Sequence, residues 1–203
     1  GILGGDNANT ELPPEELAKC RLGTLLGKGA FGSVFLGLLH SSSTLVAVKV
    51  VHVGKDVASA KIMQLHQELE LLRNLNHPNV VKFHGALWQE QKKELCIYTE
   101  YIECGSIANM VRKFGSLPLP VLQRYLYQTL RGLQYLHSMN ILHRDIKGDN
   151  LLVTKVGQVK LADFGCSGPL EEVNPASDIT GTPLWMAPEA MRGDPPSTAN
   201  DIW

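Results

Sequence analysis

Long apolar runs are missing from this chain. No stretch approaches the ~18 residues that a membrane span needs, and no apolar segment of a secretory leader opens the sequence. Cysteine is scarce. The four residues, Cys20, Cys96, Cys104 and Cys166, show neither metal-ligand spacing nor a dense disulfide framework. Reduced thiols and a cytoplasmic location are the resulting expectation. An excess of charge is also lacking, since 19 Lys and Arg stand against 20 Asp and Glu for a net charge of −1. That balance argues against a general affinity for nucleic acid or anionic membrane. There is no internal repeat and no low-complexity tract. What is present is a globular composition: 203 residues, 44% hydrophobic and 19% charged, enough for one large domain or two small lobes.

Residues 1–19, "GILGGDNANTELPPEELAK", are rich in Gly, Asn, Pro and Glu and read as a disordered linker or lead-in. From Cys20 to about Val53 the pattern is that of strands. "RLGTLLGKG" and "AFGSVFLGLLH" flank a glycine loop, "SSST" turns the chain, and "LVAVKVVHV" is rich in β-branched residues. From about Asp56 to Asn76 the period becomes helical, with Ile62, Leu65, Leu69, Leu72 and Leu75 on one stripe. Pro78 disfavours helix at His77 and ends that segment. Strands are expected around "VVKFHGALW" and "ELCIYTEY", then a connector at "IECGS". Beyond it, "PLPVLQRYLYQTLRGLQYLHSMN" places Leu122, Leu126, Leu130, Leu133, Tyr125 and Leu136 on a wide apolar helical face. Loops and short strands follow. Strands first and helices later predict two lobes and a cleft.

Gly27, Gly29 and Gly32 form a G-x-G-x-x-G pattern, which brings backbone against phosphate. The phosphate could belong to a dinucleotide, to a nucleotide in a P-loop, or to ATP under another glycine loop. The dinucleotide reading needs an acid about 20 residues on, and nothing acidic lies between Gly32 and Asp56. The P-loop reading needs Lys and Ser/Thr directly after the last glycine, where Ser33 and Val34 stand. With the loop between two strands, no helix N-terminus holds the phosphates, and a cation must do so. Lys49 is the candidate, with Glu68 as its natural partner. An edge-strand Lys49 in solvent, and Glu68 as an ordinary surface carboxylate, are the bland alternatives.

"HRDIKGDN" and "ADFG" decide between these. Phosphoryl transfer from ATP needs a carboxylate near the attacking hydroxyl, oxygen ligands for a hard divalent ion, and cations over the phosphates. Asn150 and Asp163 suit Mg²⁺. Asp145 is then available to accept the hydroxyl proton, and Lys147 to neutralise the moving phosphoryl group.

"GKGAFGSV", "VAVK", "HRDIKGDN", "DFG" and "APE" occur in the order and spacing of the eukaryotic protein kinases, which the chain resembles from about Cys20 to its end. The resemblance implies an α+β, bilobal protein-kinase-like fold: a small antiparallel β lobe with one helix and a mainly helical, incomplete second lobe. The N-lobe would span 20–99, the hinge 100–105 and the partial C-lobe 106–203. Gly27, Gly29 and Gly32 would bring backbone N–H groups over the phosphates of ATP, with Leu26 and Lys28 also in its binding site, Lys49 hold its α/β-phosphates and Glu68 orient Lys49. Val34, Ala47 and Leu152 would sandwich adenine, Glu100 and Ile102 bond it at the hinge, and Thr99 stand as gatekeeper. Leu72, Phe83, His143 and Phe164 match a stacked apolar spine, with plain core packing as the alternative. Asp145 and Lys147 would be catalytic, and Asn150 and Asp163 metal ligands.

Lys147 and "GTPLWMAPEAM" resemble serine/threonine kinases of the MAP kinase cascade, within them MAP kinase kinase kinases. The implied substrate is a MAP kinase kinase. A sterile-twenty-like kinase of the same group is the alternative, and a nucleotide-binding pseudokinase or scaffold is the alternative class. Asp163 to Glu189 would be an activation loop with Thr180 as first phosphosite, Ser177 second, and Arg144 as phosphate receiver. Thr182 resembles a residue that contacts the catalytic Asp. Asp201 resembles the Asp that ties down the catalytic loop from the start of a long buried helix. The chain stops at "NDIW", which implies a truncated domain that folds poorly alone. Cys166, just after "DFG", reads as a small half-buried residue, with a reactive thiol as the sharper alternative and Cys104 as a weaker case.

Overall fold

The computed structural model describes residues 11–29, 32–53, 69–169 and 181–203. The chain divides into two compact units, Gly1–Asn76 with Lys82–Tyr101, and His77–Val81 with Ile102–Trp203.

The N-terminal unit is a five-stranded antiparallel sheet in the order β1-β2-β3-β5-β4. Its strands are β1 (Arg21–Gly29), β2 (Gly32–Leu38), β3 (Leu45–His52), β4 (Phe83–Gln89) and β5 (Glu94–Glu100). Alternation along β3 separates the faces. Val46 and Val48 are fully buried and pack with Leu39, Cys96 and Tyr98, while Ala47 and Lys49 point to the other face. A short helix, α1 (Pro14–Ala18), opens the described chain, and its Leu17 belongs to this core at 2% exposure. The reading of residues 1–19 as lead-in therefore fails at 14–18. The reason is one leucine: burying it is worth roughly 1.5–3 kcal/mol, enough to hold a five-residue helix that propensity alone would not. A helical segment at 69–74 (α2) buries Leu72, and Leu75 is buried just beyond it. The rest of the expected helix, with Ile62, Leu65 and Glu68, lies outside the described residues.

The C-terminal unit contains α3 (Ile107–Phe114), α4 (Leu119–Ser138) and α5 (Pro188–Arg192). It also holds two short antiparallel ribbons, β6 (Ile141–Leu142) with β9 (Gly168–Pro169), and β7 (Leu151–Val153) with β8 (Val159–Leu161). Ser106 caps α3 by accepting the Asn109 N–H. The wide leucine face expected on α4 is only half buried. Tyr125, Thr129, Gly132, Leu133 and Leu136 go inside, whereas Leu122, Leu126 and Leu130 stay exposed at 43–56%. Close approach selects the buried face: a Cβ on Gly132 would lie 2.9 Å from both the Asn79 carbonyl and a Leu161 methyl. Thr129 is tolerated there because its hydroxyl donates to the Tyr125 carbonyl at 2.9 Å. Leu126 and Leu130 instead line a cavity of about 430 Å³ with Leu142, Leu184 and Trp185.

The segment His77–Val81 belongs to this second unit because Asn79 fastens it. Its buried amide donates to the Val159 carbonyl (2.9 Å) and to Gln128 Oε1 (3.3 Å), while its carbonyl accepts the Leu161 N–H. The His77 ring stacks on Tyr135, centroids 4.9 Å apart. Asn79→Ala takes the side-chain donor from the buried Val159 carbonyl, while Gln128 Oε1 keeps the Val159 N–H, so it should cost about 1–3 kcal/mol. Faster hydrogen exchange at the Val81 and Leu161 amides, read by mass spectrometry, would mark the loss; unchanged exchange would contradict this account.

Candidate active site

The loop between β6 and β7 carries a dense polar network. Asp145, 7% exposed, accepts from three side chains. Its Oδ2 takes Lys147 Nζ (2.7 Å) and Asn150 Nδ2 (2.8 Å), and its Oδ1 takes the Thr182 hydroxyl (2.7 Å). Lys147 Nζ also donates to Thr182 Oγ1 at 2.6 Å. Burial opposes the Asp145 charge, but Lys147, Thr182 and Asn150 outweigh it and hold the carboxyl below the usual range. A carboxylate has about four acceptor positions, so these three donors leave space for one incoming hydroxyl.

Asn150 has a second task. Its Nδ2 is turned toward the carbonyl and carboxylate of Asp145, which directs its Oδ1 away. The β7–β8 ribbon pairs Leu151 with Leu161, and the Ala162 N–H donates to the Asn150 carbonyl at 2.9 Å. Asp163, exposed and at φ 60°, follows directly. The ribbon thus brings an amide oxygen and a carboxylate to one end. This pair suits a hard divalent ion that takes its remaining ligands from phosphate and water.

His143 is fully buried, and burial keeps its imidazole below the ordinary histidine range despite the acids around it. Its Nε2 lies 3.0 Å from the Ala162 carbonyl, which can only accept. The proton therefore sits on Nε2, and Nδ1 accepts the Asp145 N–H at 3.3 Å. The Phe164 ring lies against it, centroids 5.1 Å apart. Ser167, within the segment expected to form the activation loop, donates to the His143 carbonyl at 3.1 Å.

The loop is held from below by Asp201. Its Oδ2 accepts the His143 N–H (2.9 Å) and the His137 Nε2 (2.8 Å), and its Oδ1 accepts the Arg144 N–H (2.7 Å). Burial disfavours the charge, yet His137 and the two amides win, and the carboxyl lies below its usual range. His137 was missed in the sequence. Its only signal was position, a histidine in the last turn of α4. Arg144 adopts φ 65°, and its guanidinium packs against Gly168, where a Cβ would meet Nη2 at 2.3 Å.

Val34, Ala47, Lys49 and Thr99 lie on one sheet face, whereas Glu100 pairs with Val46 on the other. Val34 pairs with Lys49, and Ala47 with Thr99. Gly29 pairs with Gly32 at the end of the β1–β2 hairpin. The glycines differ in what they do. A Cβ at Gly32, φ 148°, would lie 2.3 Å from the Val50 carbonyl, so packing alone demands glycine there. A Cβ at Gly27 would meet nothing within 4 Å, and Leu26, Gly27 and Lys28 are exposed. The Glu100 carboxylate accepts the Lys82 N–H at 2.6 Å, so this side chain ties β5 to the start of β4. Ile102 is buried and Leu152 half-buried, both in the second unit. Leu72, Phe83 and Phe164 are each buried to 3% exposure or less. Glu68, Ser177 and Thr180 lie outside the described residues. Burial and the nearby acids Asp145 and Asp163 push the Cys166 thiol up to about 11, which leaves little thiolate at neutral pH. The bland reading of Cys166 fits this better than the reactive one; Cys104 is exposed.

A family model described as the protein kinase domain matches residues 20–203. Mitogen-activated protein kinase kinase kinase 2 of Arabidopsis thaliana is 41% identical over 206 residues, covering 98% of this chain and 31% of the relative. Cell division control protein 7 of Schizosaccharomyces pombe is 43% identical over 182 residues, covering 90% of this chain and 17% of the relative. Mitogen-activated protein kinase kinase kinase 3 of Arabidopsis thaliana is 44% identical over 191 residues, covering 90% and 29%. The chain thus spans less than a third of these relatives. No described helix is long and apolar enough to cross a membrane.

The Asp201 network sets an acid limit on stability. Its folded carboxyl binds a proton less readily than the unfolded one, so its contribution is complete above the unfolded value of about 3.9. That contribution is lost as pH falls through the lower folded value. Asp201→Asn loses at least one charge-assisted bond, roughly 1.5–3 kcal/mol. Urea unfolding from pH 3 to 7 should show a wild-type advantage that is full at pH 7 and narrows below pH 4. A gap independent of pH would refute the assignment.

Proposed function

The chain belongs to the protein kinase domain family, and on that premise we propose that it transfers the γ-phosphoryl group of ATP to a serine or threonine hydroxyl of a protein. The observation that carries this is the arrangement around Asp145, a buried carboxylate with three fixed donors and room for a fourth. The acceptor hydroxyl donates to Asp145 and is aligned on the phosphorus. As its O–P bond forms and the bond to the β-phosphate oxygen breaks, its proton passes to Asp145. A carboxyl held below its usual range is a weak base, so its main contribution is orientation, with proton uptake late in the reaction. Lys147 lies within hydrogen-bond distance of both Asp145 and Thr182, and its charge faces the phosphoryl group in transit.

We assign the divalent ion as Mg²⁺, with Asn150 and Asp163 as its protein ligands. When bound, it neutralises phosphate charge and fixes the phosphate geometry. Lys49 holds the α/β-phosphates with Glu68 as its partner, and Leu26, Gly27, Lys28, Gly29 and Gly32 cover them. Val34, Ala47, Thr99, Glu100, Ile102 and Leu152 form the adenine site. Thr180, with Ser177 second, is the activating phosphosite, and Arg144 the cation that receives it; a phosphate adds about −1.5 to −2 charge beside that guanidinium.

The substrate we propose is a MAP kinase kinase, supported by "GTPLWMAPEAM" and by the names of two of the relatives. Offering purified MAP kinase kinases and MAP kinase kinase kinases in parallel separates this from a sterile-twenty-like role, which requires transfer to the latter. Asp145→Asn in the full-length protein should lower kcat by about 10²–10⁴-fold with little change in ATP KM, measured by labelled phosphate transfer. Thr180→Ala should lower activity about tenfold or more, by the activation-loop logic of phosphate-ordered kinases. An Asp145→Asn enzyme with wild-type kcat would overturn the mechanism.

A further inference from the structure

The chain carries no Asp or Glu between Glu103 and Asp145, and none between Asp149 and Asp163. These acid-free stretches meet in the second unit. There α4, the β7–β8 ribbon and residues 77–81 are joined without a carboxylate side chain among them. Gln128 of α4 makes the joint. Its Nε2 donates to the Gly157 carbonyl (3.1 Å), and its Oε1 accepts the Val159 N–H (3.0 Å) and the Asn79 amide (3.3 Å). Arg124, Gln128, Arg131 and Tyr135 follow at steps of four, three and four, so they share one side of α4. Leu122, Leu126 and Leu130 turn to another side.

Cations line this joint. At one end, a Cβ on Gly157 would lie 4.0 Å from Arg124 Cζ, and Lys155 is exposed in the same turn. At the other, burial and then the charges of Arg131 and Lys160 hold the His77 imidazole below the ordinary histidine range. Lys160 Nζ lies 3.5 Å from the Val80 carbonyl, whereas among the described residues no ion pair engages Arg124, Arg131 or Lys155. We propose that this face is a docking surface for an acidic segment of a partner protein, with Arg124, Arg131 and Lys155 as the contacting cations and Lys160 adding to the field. The net charge of the chain is −1, so the positive field is local and suits a short acidic run rather than polyanions at large. Val156, 69% exposed beside Lys155, gives a peptide side chain an apolar contact that a phosphate backbone could not use. The His77 and Tyr135 rings are stacked on each other, which withdraws their facing sides from a nucleobase. The cations stand on a helix and a ribbon fastened by Gln128, so their backbone positions are set before a partner arrives. The surface requires no phosphoryl transfer, and none of its residues belongs to the proposed active site.

The probe is a fluorescein-labelled peptide alternating Glu with Gly, titrated against the full-length protein by anisotropy. Arg124→Glu, Arg131→Glu and Lys155→Glu should each weaken its binding about fivefold or more, with Tm nearly constant because all three side chains are exposed. Lys92→Glu makes the same charge change in the exposed β4–β5 turn of the other unit. It should shift Kd by less than about twofold. Higher salt should weaken the wild-type complex, and added ATP with Mg²⁺ should leave it unchanged. The surface is overturned if the three reversals bind the peptide as wild type does, or if Lys92→Glu weakens it as much as they do. Equal binding of a peptide with Gln in place of Glu, or displacement of the probe by ATP, would overturn it as well. So would tighter binding of a single-stranded oligonucleotide or of phosphatidylserine vesicles that is lost in the same three variants, since the occupant would then be a different polyanion.

Discussion

A buried carboxylate that must find donors organises the loop after β6. Asp201 is 4% exposed and carries its charge where water cannot solvate it. It is satisfied by the main-chain N–H groups of His143 and Arg144 and by the His137 ring. To present both amides to one carboxylate, Arg144 takes φ 65°, a conformation that costs a non-glycine residue on the order of 1–3 kcal/mol. Asp145 is the next residue, so its place follows from that turn. A second left-handed residue, Asp163 at φ 60°, sits at the proposed metal position. Left-handed backbone thus flanks the proposed site on both sides.

The two units solve different problems. The N-terminal unit uses strand alternation: register alone gathers Val34, Ala47, Lys49 and Thr99 on one face and packs Val46, Val48 and Tyr98 on the other. The C-terminal unit places its functional groups on irregular chain, where no periodicity helps. It relies on named hydrogen bonds instead. Asn150 is the clearest case, since one amide group orients Asp145 through its nitrogen and leaves its oxygen directed elsewhere. His143 acts similarly, with a tautomer fixed by one carbonyl.

What could be read in the sequence follows from this division. The five strands, the long helix and the buried alternation of β3 were legible because period-two and helical patterns are local. The family was legible because its motifs fix residue types at set spacings, and the family model matches residues 20–203. Leu17 was not: one leucine in a Pro- and Glu-rich stretch carries no pattern, and only the dimple at Gly85 gives it a place. The orientation of α4 was half legible, because leucines recur around more than one side and the deciding residue is Gly132, which has no side chain to notice. His137 and Asn79 were illegible for a related reason. Each is a polar residue with a partner more than 60 residues away, Asp201 for one and Val159 for the other.

The five-stranded sheet has one more implication. Because successive residues of β3 answer to opposite faces, Ala47 and Lys49 can be constrained by a small molecule while Val46 and Val48 are constrained by the chain's own N-terminal helix. A compound that displaced Leu17 from its dimple would occupy the face opposite the proposed nucleotide residues. Its binding would therefore not be in direct competition with a ligand held on that other face.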